Sequence, residues 1–124
     1  MKILIVEDDR DVSDPVNMDR LHEIMGDELF EIVDLYLVEM TRHLQELTIA
    51  IATGNAEEVD LIAHNCVGTS ANCGMTAVVA PMRELERMGR ENDLGHAPAV
   101  LEDAKKQFER VTQFLTQLRA PISL

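Results

Sequence analysis

The sequence predicts an all-α protein: an antiparallel up-down four-helix bundle with a short leading N-terminal helix. From residue 19 onward, apolar residues recur at spacings of three and four, which is the period of an amphipathic helix. Glycines and prolines interrupt this pattern at intervals of about one helix length. The stretches between the predicted helices are only a few residues long, and short connections favour antiparallel neighbours.

The composition excludes several classes of protein. The chain has 124 residues, enough for one domain, and its 46% hydrophobic and 27% charged residues are globular proportions. Its net charge of −12 disfavours nucleic acid as a partner, because phosphate backbones are bound by Lys and Arg. No apolar run approaches the ~20 residues of a membrane span, and acidic residues interrupt the N-terminal apolar run before it can serve as a signal peptide. We therefore expect a soluble, cytoplasmic protein that binds neither nucleic acid nor membrane.

The two cysteines, Cys66 and Cys73, are predicted to be free thiols. On one helix their seven-residue separation corresponds to about 10.5 Å. A disulfide needs Cα atoms within about 7 Å of each other. The pair therefore cannot form a bridge, which agrees with a reducing compartment.

The first two predicted helices differ in length. Asp19 is expected to cap a short helix that stops before Gly26. Asp27 and Glu28 place negative charge at the start of the second helix, where the helix dipole favours it, and Gly54 ends this helix. The apolar positions of the second helix are Leu29, Val33, Tyr36, Met40, Leu44, Leu47 and Ile51.

The third and fourth helices are predicted from their end signals. Asn55 and Glu58 form an N-cap pair for the third helix, which runs to about Gly74. The fourth helix starts near Thr76 and ends near Asn92.

Prolines mark the last two helices. Pro81 lies beyond the first turn of the fourth helix, so we expect a kink or a displaced start there. Pro98 suits the first turn of the last helix. The apolar stripe of the last helix is Leu101, Ala104, Phe108, Val111, Leu115 and Leu118.

Among the four histidines, His64 has the most informative position. On a helical wheel of the third helix, the residues that form the packed stripe lie nearly opposite His64. They are Val59, Ile62, Ala63, Cys66, Ser70 and Cys73. His64 is therefore expected to point into solvent from the middle of a helix, and an incidental surface histidine is the alternative interpretation.

Gly68 favours a functional histidine. A glycine inside a helix costs about 1 kcal/mol relative to alanine, so its presence calls for a reason. It lies four residues after His64, on the neighbouring position of the same helix face. The missing side chain clears space for another molecule to approach the imidazole, which is a good nucleophile near neutral pH.

Residues 64–74, His-Asn-Cys-Val-Gly-Thr-Ser-Ala-Asn-Cys-Gly, resemble the signature of histidine phosphotransfer (Hpt) domains. That pattern has an apolar residue two after the His, usually Lys at +3, Gly at +4, small residues next and Gly at +10. The matching residues are His64, Cys66, Gly68, Ser70 and Gly74. Val67 departs from the pattern, because it stands where the Lys that is thought to help stabilise the phosphoryl group is usual. The resemblance extends over about residues 15–120, so residues 15–124 are predicted to form an Hpt domain.

The resemblance implies a carrier in a two-component phosphorelay. His64 would accept a phosphoryl group from the phospho-aspartate of a receiver domain, in a response regulator or a hybrid sensor histidine kinase, and pass it to another receiver. The chain would need no cofactor of its own, since Mg²⁺ belongs to the receiver. It would not be an enzyme with its own ATP site, and it has no GxxxxGK[ST] motif.

Two groups of residues around His64 are candidates for supporting roles. Leu61, Val67 and Ala71, with Gly68, would form a docking patch, and scattered exposed apolar residues are the alternative. The fourth helix carries a basic stripe of Arg83, Arg87 and Arg90. If this stripe borders His64, Arg83 or Arg87 is a candidate contact for the phosphate. The alternative is a solvated face paired with the neighbouring glutamates, Glu84, Glu86 and Glu91.

Two rival functions have weaker support from the sequence. A di-iron carboxylate bundle needs Glu-x-x-His on each of two helices. Glu39 and His43 are four apart, as are Asp60 and His64, so this spacing is absent near both histidines and no metal site is predicted. A non-catalytic adaptor, which binds a kinase or receiver without relaying phosphate, is favoured only by Val67.

The N-terminal segment carries a second, shorter resemblance. Residues 2–6, Lys-Ile-Leu-Ile-Val, are followed by three acids and resemble the first strand of a response-regulator receiver domain. No second strand follows, so a working receiver site is excluded. Residues 1–14 are therefore predicted to be a receiver-like strand remnant and linker, with chance similarity as the alternative.

Overall fold

The computed structural model describes residues 15–23 and 28–119. In this part of the chain every regular element is a helix: α1 (Met18–His22), α2 (Leu29–Ala52), α3 (Ala56–Asn72), α4 (Thr76–Arg90) and α5 (Ala97–Arg119). The four long helices pack around a square in the order α2, α3, α4, α5, so that α3 and α5 are diagonal to each other. The predicted four-helix bundle with a short leading helix is confirmed. The predicted strand remnant in residues 1–14 lies outside the described residues.

The core is aliphatic and rich in methionine, as the low aromatic content requires. Val16 and Leu21 from the N-terminal segment join the buried residues of all four long helices. Ser70 is the buried polar residue in the described part of the chain, and its hydroxyl lies 2.9 Å from the hydroxyl of Tyr36. Each hydroxyl therefore has a partner, which removes the cost of burying it alone.

The helix ends agree with most of the local signals. The side chain of Asn55 accepts a hydrogen bond from the backbone N–H of Glu58 at 3.2 Å, as predicted. The prediction that Asp19 caps α1 is wrong. Asn17 is the N-cap, because its side chain accepts from the backbone N–H of Arg20 at 3.0 Å and Asp19 already lies in the first turn.

The fourth helix begins where the sequence predicts but ends slightly earlier than predicted. It begins at Thr76, so Pro81 does not displace its start; Pro81 is buried inside the helix. The helix ends at Arg90, two residues before the predicted end. Asn92 has a φ of +56°, in the left-handed region that ends a helix and that Asn tolerates.

Gly89 brings α4 unusually close to α3. A Cβ atom at this position would lie 2.6 Å from the backbone nitrogen of Asp60 and 2.7 Å from the carbonyl oxygen of Ala56. Both distances are shorter than real Cβ contacts, so only glycine fits at this crossing. The contact fixes the lateral and axial position of α4 against the first half of α3.

The N-terminal segment of the described chain is bonded to the far end of α3. The Arg20 side-chain Nε donates to the carbonyl of Asn72 at 2.9 Å, and the backbone N–H of Asn17 donates to the carbonyl of Gly74 at 2.6 Å. The carbonyl of Pro15 accepts from the backbone N–H of Ala77 at 3.1 Å. This segment therefore holds the turn between α3 and α4, and Pro15 belongs to the folded domain.

Candidate functional site on the third helix

His64 lies in the middle of α3 with its imidazole in solvent. Its side chain is 71% exposed, whereas the residues on the opposite side of the helix are buried. The buried set is Val59, Ile62, Ala63, Cys66 and Ser70, with Cys73 half-buried beyond them. The structure therefore has His64 on the outward face, as the helical wheel predicts.

Gly68 leaves open space one turn after His64. Among the described residues, no heavy atom beyond the helix's own backbone and the adjacent residues lies within 4 Å of the place that a Cβ atom of Gly68 would occupy. Unlike Gly89, this glycine makes no close contact with a neighbouring described helix. The surface beside His64 is therefore open at this position.

Glu86 of α4 holds one side of the imidazole. Its Oε2 atom lies 2.7 Å from Nδ1 of His64, across the groove between α3 and α4. The Glu86 side chain is only 17% exposed, so its carboxylate contacts the ring from within the groove. The His64 side chain is 71% exposed, so the rest of the ring faces solvent. The sequence alone does not indicate this role, since there Glu86 is only one of three glutamates that could pair with the arginines of α4. The signal was Gly89, which marks the side of α4 that meets α3 and lies one turn from Glu86.

The contact with Glu86 determines which ring nitrogen is available. A carboxylate only accepts hydrogen bonds, so the Nδ1 atom of His64 carries the proton in this pair. In the neutral imidazole, Nε2 is then the unprotonated nitrogen, and its lone pair is available to an electrophile. The site therefore presents a nucleophile whose tautomer and orientation are fixed by a neighbour.

The three arginines of α4 have different surroundings. Arg87 pairs with Glu84 and, at 2.7 Å, with Glu91. The hydrogen bond from Arg87 keeps the pKa of Glu84 below its usual value. Arg90 reaches Oε2 of Glu86 at 3.6 Å, the same oxygen that binds His64.

Arg83 is the third arginine and is exposed to solvent. Among the residues that the structure describes, it forms no ion pair within 4.0 Å. Because α3 and α4 are antiparallel and Glu86 lies beside His64, the position one turn earlier on α4 lies level with Val67 and Gly68. Of the predicted phosphate contacts, Arg83 is thus exposed without an ion pair among the described residues, whereas Arg87 is already paired with Glu84 and Glu91.

The predicted docking residues also divide into two groups. Leu61 is 58% exposed and Ala71 is exposed, and both lie on the same face of α3 as His64. Val67 is partly buried and packs against the core. Only part of the predicted patch is therefore open surface.

The remaining nucleophiles have less accessible positions or no organised surroundings. His43 is 17% exposed, and its Nδ1 atom lies 3.2 Å from Glu46. His96 is exposed, and the side chain of His22 is outside the described part. Cys66 and Cys73 are not bridged, as predicted, and burial raises the pKa of Cys66 to about 12, so this thiol stays protonated.

The described residues are also compatible with neither of two other kinds of site, a metal centre built from three or more side chains and a membrane span. No group of three or more His, Cys, Asp or Glu side chains in residues 15–23 and 28–119 is arranged to hold a metal ion. Within the same ranges, no helix has the length and apolar character needed to cross a membrane.

Comparison with known proteins decides the family. The family model described as "Hpt domain" matches residues 31–121, which include all of α3, α4 and α5 and nearly all of α2. The chain belongs to the Hpt domain family. Hpt domains are phosphotransfer carriers in two-component phosphorelays, where they interact with receiver domains.

A solved structure supports the assignment of this Hpt domain. The fold of this chain is similar to the crystal structure of histidine-containing phosphotransfer protein B (HptB) from Pseudomonas aeruginosa PAO1, with a TM-score of 0.81 and 28% sequence identity. The match covers 85% of this chain and 94% of the HptB chain. A search of curated protein sequences gives no significant match.

Proposed function

We propose that His64 accepts a phosphoryl group from the phospho-aspartate of one receiver domain and passes it to the aspartate of another. The observation that carries this proposal is the exposed imidazole, 2.7 Å from Glu86 through Nδ1 and free at Nε2. The open space at Gly68 supports it, because in-line transfer needs room for a partner's phosphorylated residue beside the ring.

The transfer is a displacement at phosphorus. The Nε2 lone pair of His64 attacks, the N–P bond forms, and the bond between phosphorus and the aspartyl oxygen breaks, which returns a carboxylate to the receiver. The phosphorylated ring retains its Nδ1 proton and is cationic, so the Glu86 carboxylate stabilises it. The reverse displacement by a second receiver's aspartate restores the neutral imidazole.

The receiver supplies the parts that this chain does not. In this mechanism the Mg²⁺ ion is bound by the receiver's acidic residues and neutralises charge on the transferred group. The contribution of the Hpt domain is to position the nucleophile, which is the main requirement of phosphoryl transfer.

The receiver docks on the face of α3 that carries His64. Leu61 and Ala71 supply exposed apolar surface there, and Gly68 gives the closest approach. Ile49 of α2 is 63% exposed and lines a cavity between α2 and α3, which Glu46 and Glu58 also line. Apolar surface beside a functional group is typical of a protein–protein interface.

The alternative function is an adaptor that binds a receiver or kinase without relaying phosphate. Val67 favours it, because no cation stands at the third residue after the histidine. The two functions differ in one measurable step, the formation of phosphohistidine.

The test is incubation of the protein with phosphorylated receiver domains, followed by measurement of label on the histidine. We expect alkali-stable, acid-labile label on wild-type protein and none on His64→Gln, with equal helical content in both. His96→Gln, at an exposed histidine without an organised neighbour, is the matched control and should label normally. Binding without label would establish the adaptor, and label that survives His64→Gln would contradict the proposed site.

A further inference from the structure

A phosphoryl group on His64 would enter negative surroundings. Glu86 lies beside the ring, and Glu57 and Asp60 occupy the preceding turns of α3 on the same side of the helix. The chain as a whole has a net charge of −12. A phosphoryl group carries up to two negative charges, so a nearby cation is required to offset the repulsion.

Among the described residues, the candidate cations for this position are the arginines of α4. Arg87 is held between Glu84 and Glu91, and Arg90 lies at the far side of Glu86, towards the Asp60 end of the groove. Arg83 lies one turn on the other side of Glu86. It is exposed and has no ion-pair partner within the described residues, so its guanidinium is available for an incoming anion.

The helix register puts Arg83 at about the same axial level as Gly68. Gly89 packs against Asp60 and Glu86 contacts His64, which together fix how the antiparallel helices align. Moving from Glu86 to Arg83 on α4 corresponds to moving from His64 towards Val67 and Gly68 on α3. Arg83 therefore lies on the side of the imidazole where the glycine leaves room for the phosphoryl group.

We propose that Arg83 binds the phosphoryl group on His64, supplying from α4 the positive charge that α3 lacks at Val67. This inference rests on the proposed function of His64 and assigns the charged residue of that site. A guanidinium suits the task because it remains charged and offers paired N–H donors to phosphate oxygens.

The experiment compares Arg83→Ala with Lys106→Ala. Both variants remove one exposed positive charge, and Lys106 lies on α5, diagonal to α3. We expect Arg83→Ala to slow transfer from a phosphorylated receiver to His64 about tenfold or more, the size expected for loss of a charge-assisted hydrogen bond. Lys106→Ala should transfer at the wild-type rate, and Arg83→Lys should keep most of the activity.

A second variant separates charge from other effects. Adding Val67→Lys to Arg83→Ala should restore transfer, because it returns a cation to the same level of the groove. A wild-type rate in Arg83→Ala, an equal loss in Lys106→Ala, or a folded double variant without restored transfer would each overturn the role of Arg83. Wild-type labelling of His64 in the same assay keeps these outcomes distinct from failure of the proposed function, in which no variant would be labelled.

Discussion

The Nδ1 atom of His64 and the Oε2 atom of Glu86 lie 2.7 Å apart and join the middle of α3 to α4. The two residues are 22 positions apart in the sequence, and the contact forms only because the helices are antiparallel and closely packed. It converts an exposed imidazole that could adopt either neutral tautomer into one with a defined free nitrogen.

The first prediction tests this contact through Glu86→Ala. The variant frees the ring to rotate and to change tautomer, so the rate of transfer should fall about tenfold, the loss expected for a hydrogen bond to a charged group. Receiver binding should be unchanged, because Glu86 is mostly covered and contributes little surface. Glu84→Ala on the same helix is the control. An unchanged rate of phosphohistidine formation in Glu86→Ala would refute the orienting role.

The second prediction concerns Gly68. Gly68→Ala should raise the free energy of unfolding by up to about 1 kcal/mol, because a Cβ atom there meets open space and alanine favours the helix. Gly68→Gln should slow transfer by blocking the approach to His64. Urea unfolding and transfer kinetics measure the two effects. Transfer by Gly68→Gln at the wild-type rate would disprove the steric argument.

The third prediction concerns the substitution of Gly89 by alanine, for which we expect a change in the free energy of unfolding opposite in sign to that of Gly68→Ala. Gly89→Ala should lower the free energy of unfolding by about 1–3 kcal/mol, because its Cβ would overlap the backbone of Ala56 and Asp60. It should also slow transfer, since displacement of α4 carries Glu86 away from His64. Urea unfolding of Gly89→Ala beside Gly68→Ala gives the comparison. Equal stabilisation of both variants would mean that the close helix crossing is absent in solution.

The fourth prediction concerns the two parts of the N-terminal segment. Deleting residues 1–14 should leave stability and His64 phosphotransfer nearly unchanged, because no second strand follows the strand-like run of residues 2–6 in the sequence and an isolated strand is not stable in water. Arg20→Ala should cost about 1 kcal/mol, since it removes the hydrogen bond to the carbonyl of Asn72. Thermal unfolding and transfer assays test both. Loss of transfer in the folded truncated protein would reveal a function for residues 1–14.

Local features of the site could be predicted from the sequence because they depend on one helix at a time. The outward position of His64, the gap at Gly68 and the cap at Asn55 all follow from helix geometry and local hydrogen bonding. The contact of His64 with Glu86 could not, because periodicity identifies the face of a helix but leaves its axial offset from the next helix undetermined.

Competing local signals explain the error at the first helix. Asn17 and Asp19 are both good N-cap residues and stand two positions apart. The choice between them depends on the backbone N–H of Asn17, which bonds to the carbonyl of Gly74 in a distant turn. N-cap propensity alone therefore does not determine where α1 begins, and a hydrogen bond to a distant part of the chain contributes to the choice.

The pairing of His64 with Glu86 has a consequence for how such a carrier selects its partners. The residue that orients the nucleophile belongs to the same chain, so the reactive nitrogen is preorganised before any partner arrives. The reactivity of His64 is then the same towards every receiver. Selectivity between receivers must therefore come from the surface around the ring. In the proposed relay, two receivers would use the same surface around a single imidazole and would therefore bind in turn. Their relative affinities and concentrations would then determine which of them occupies the site.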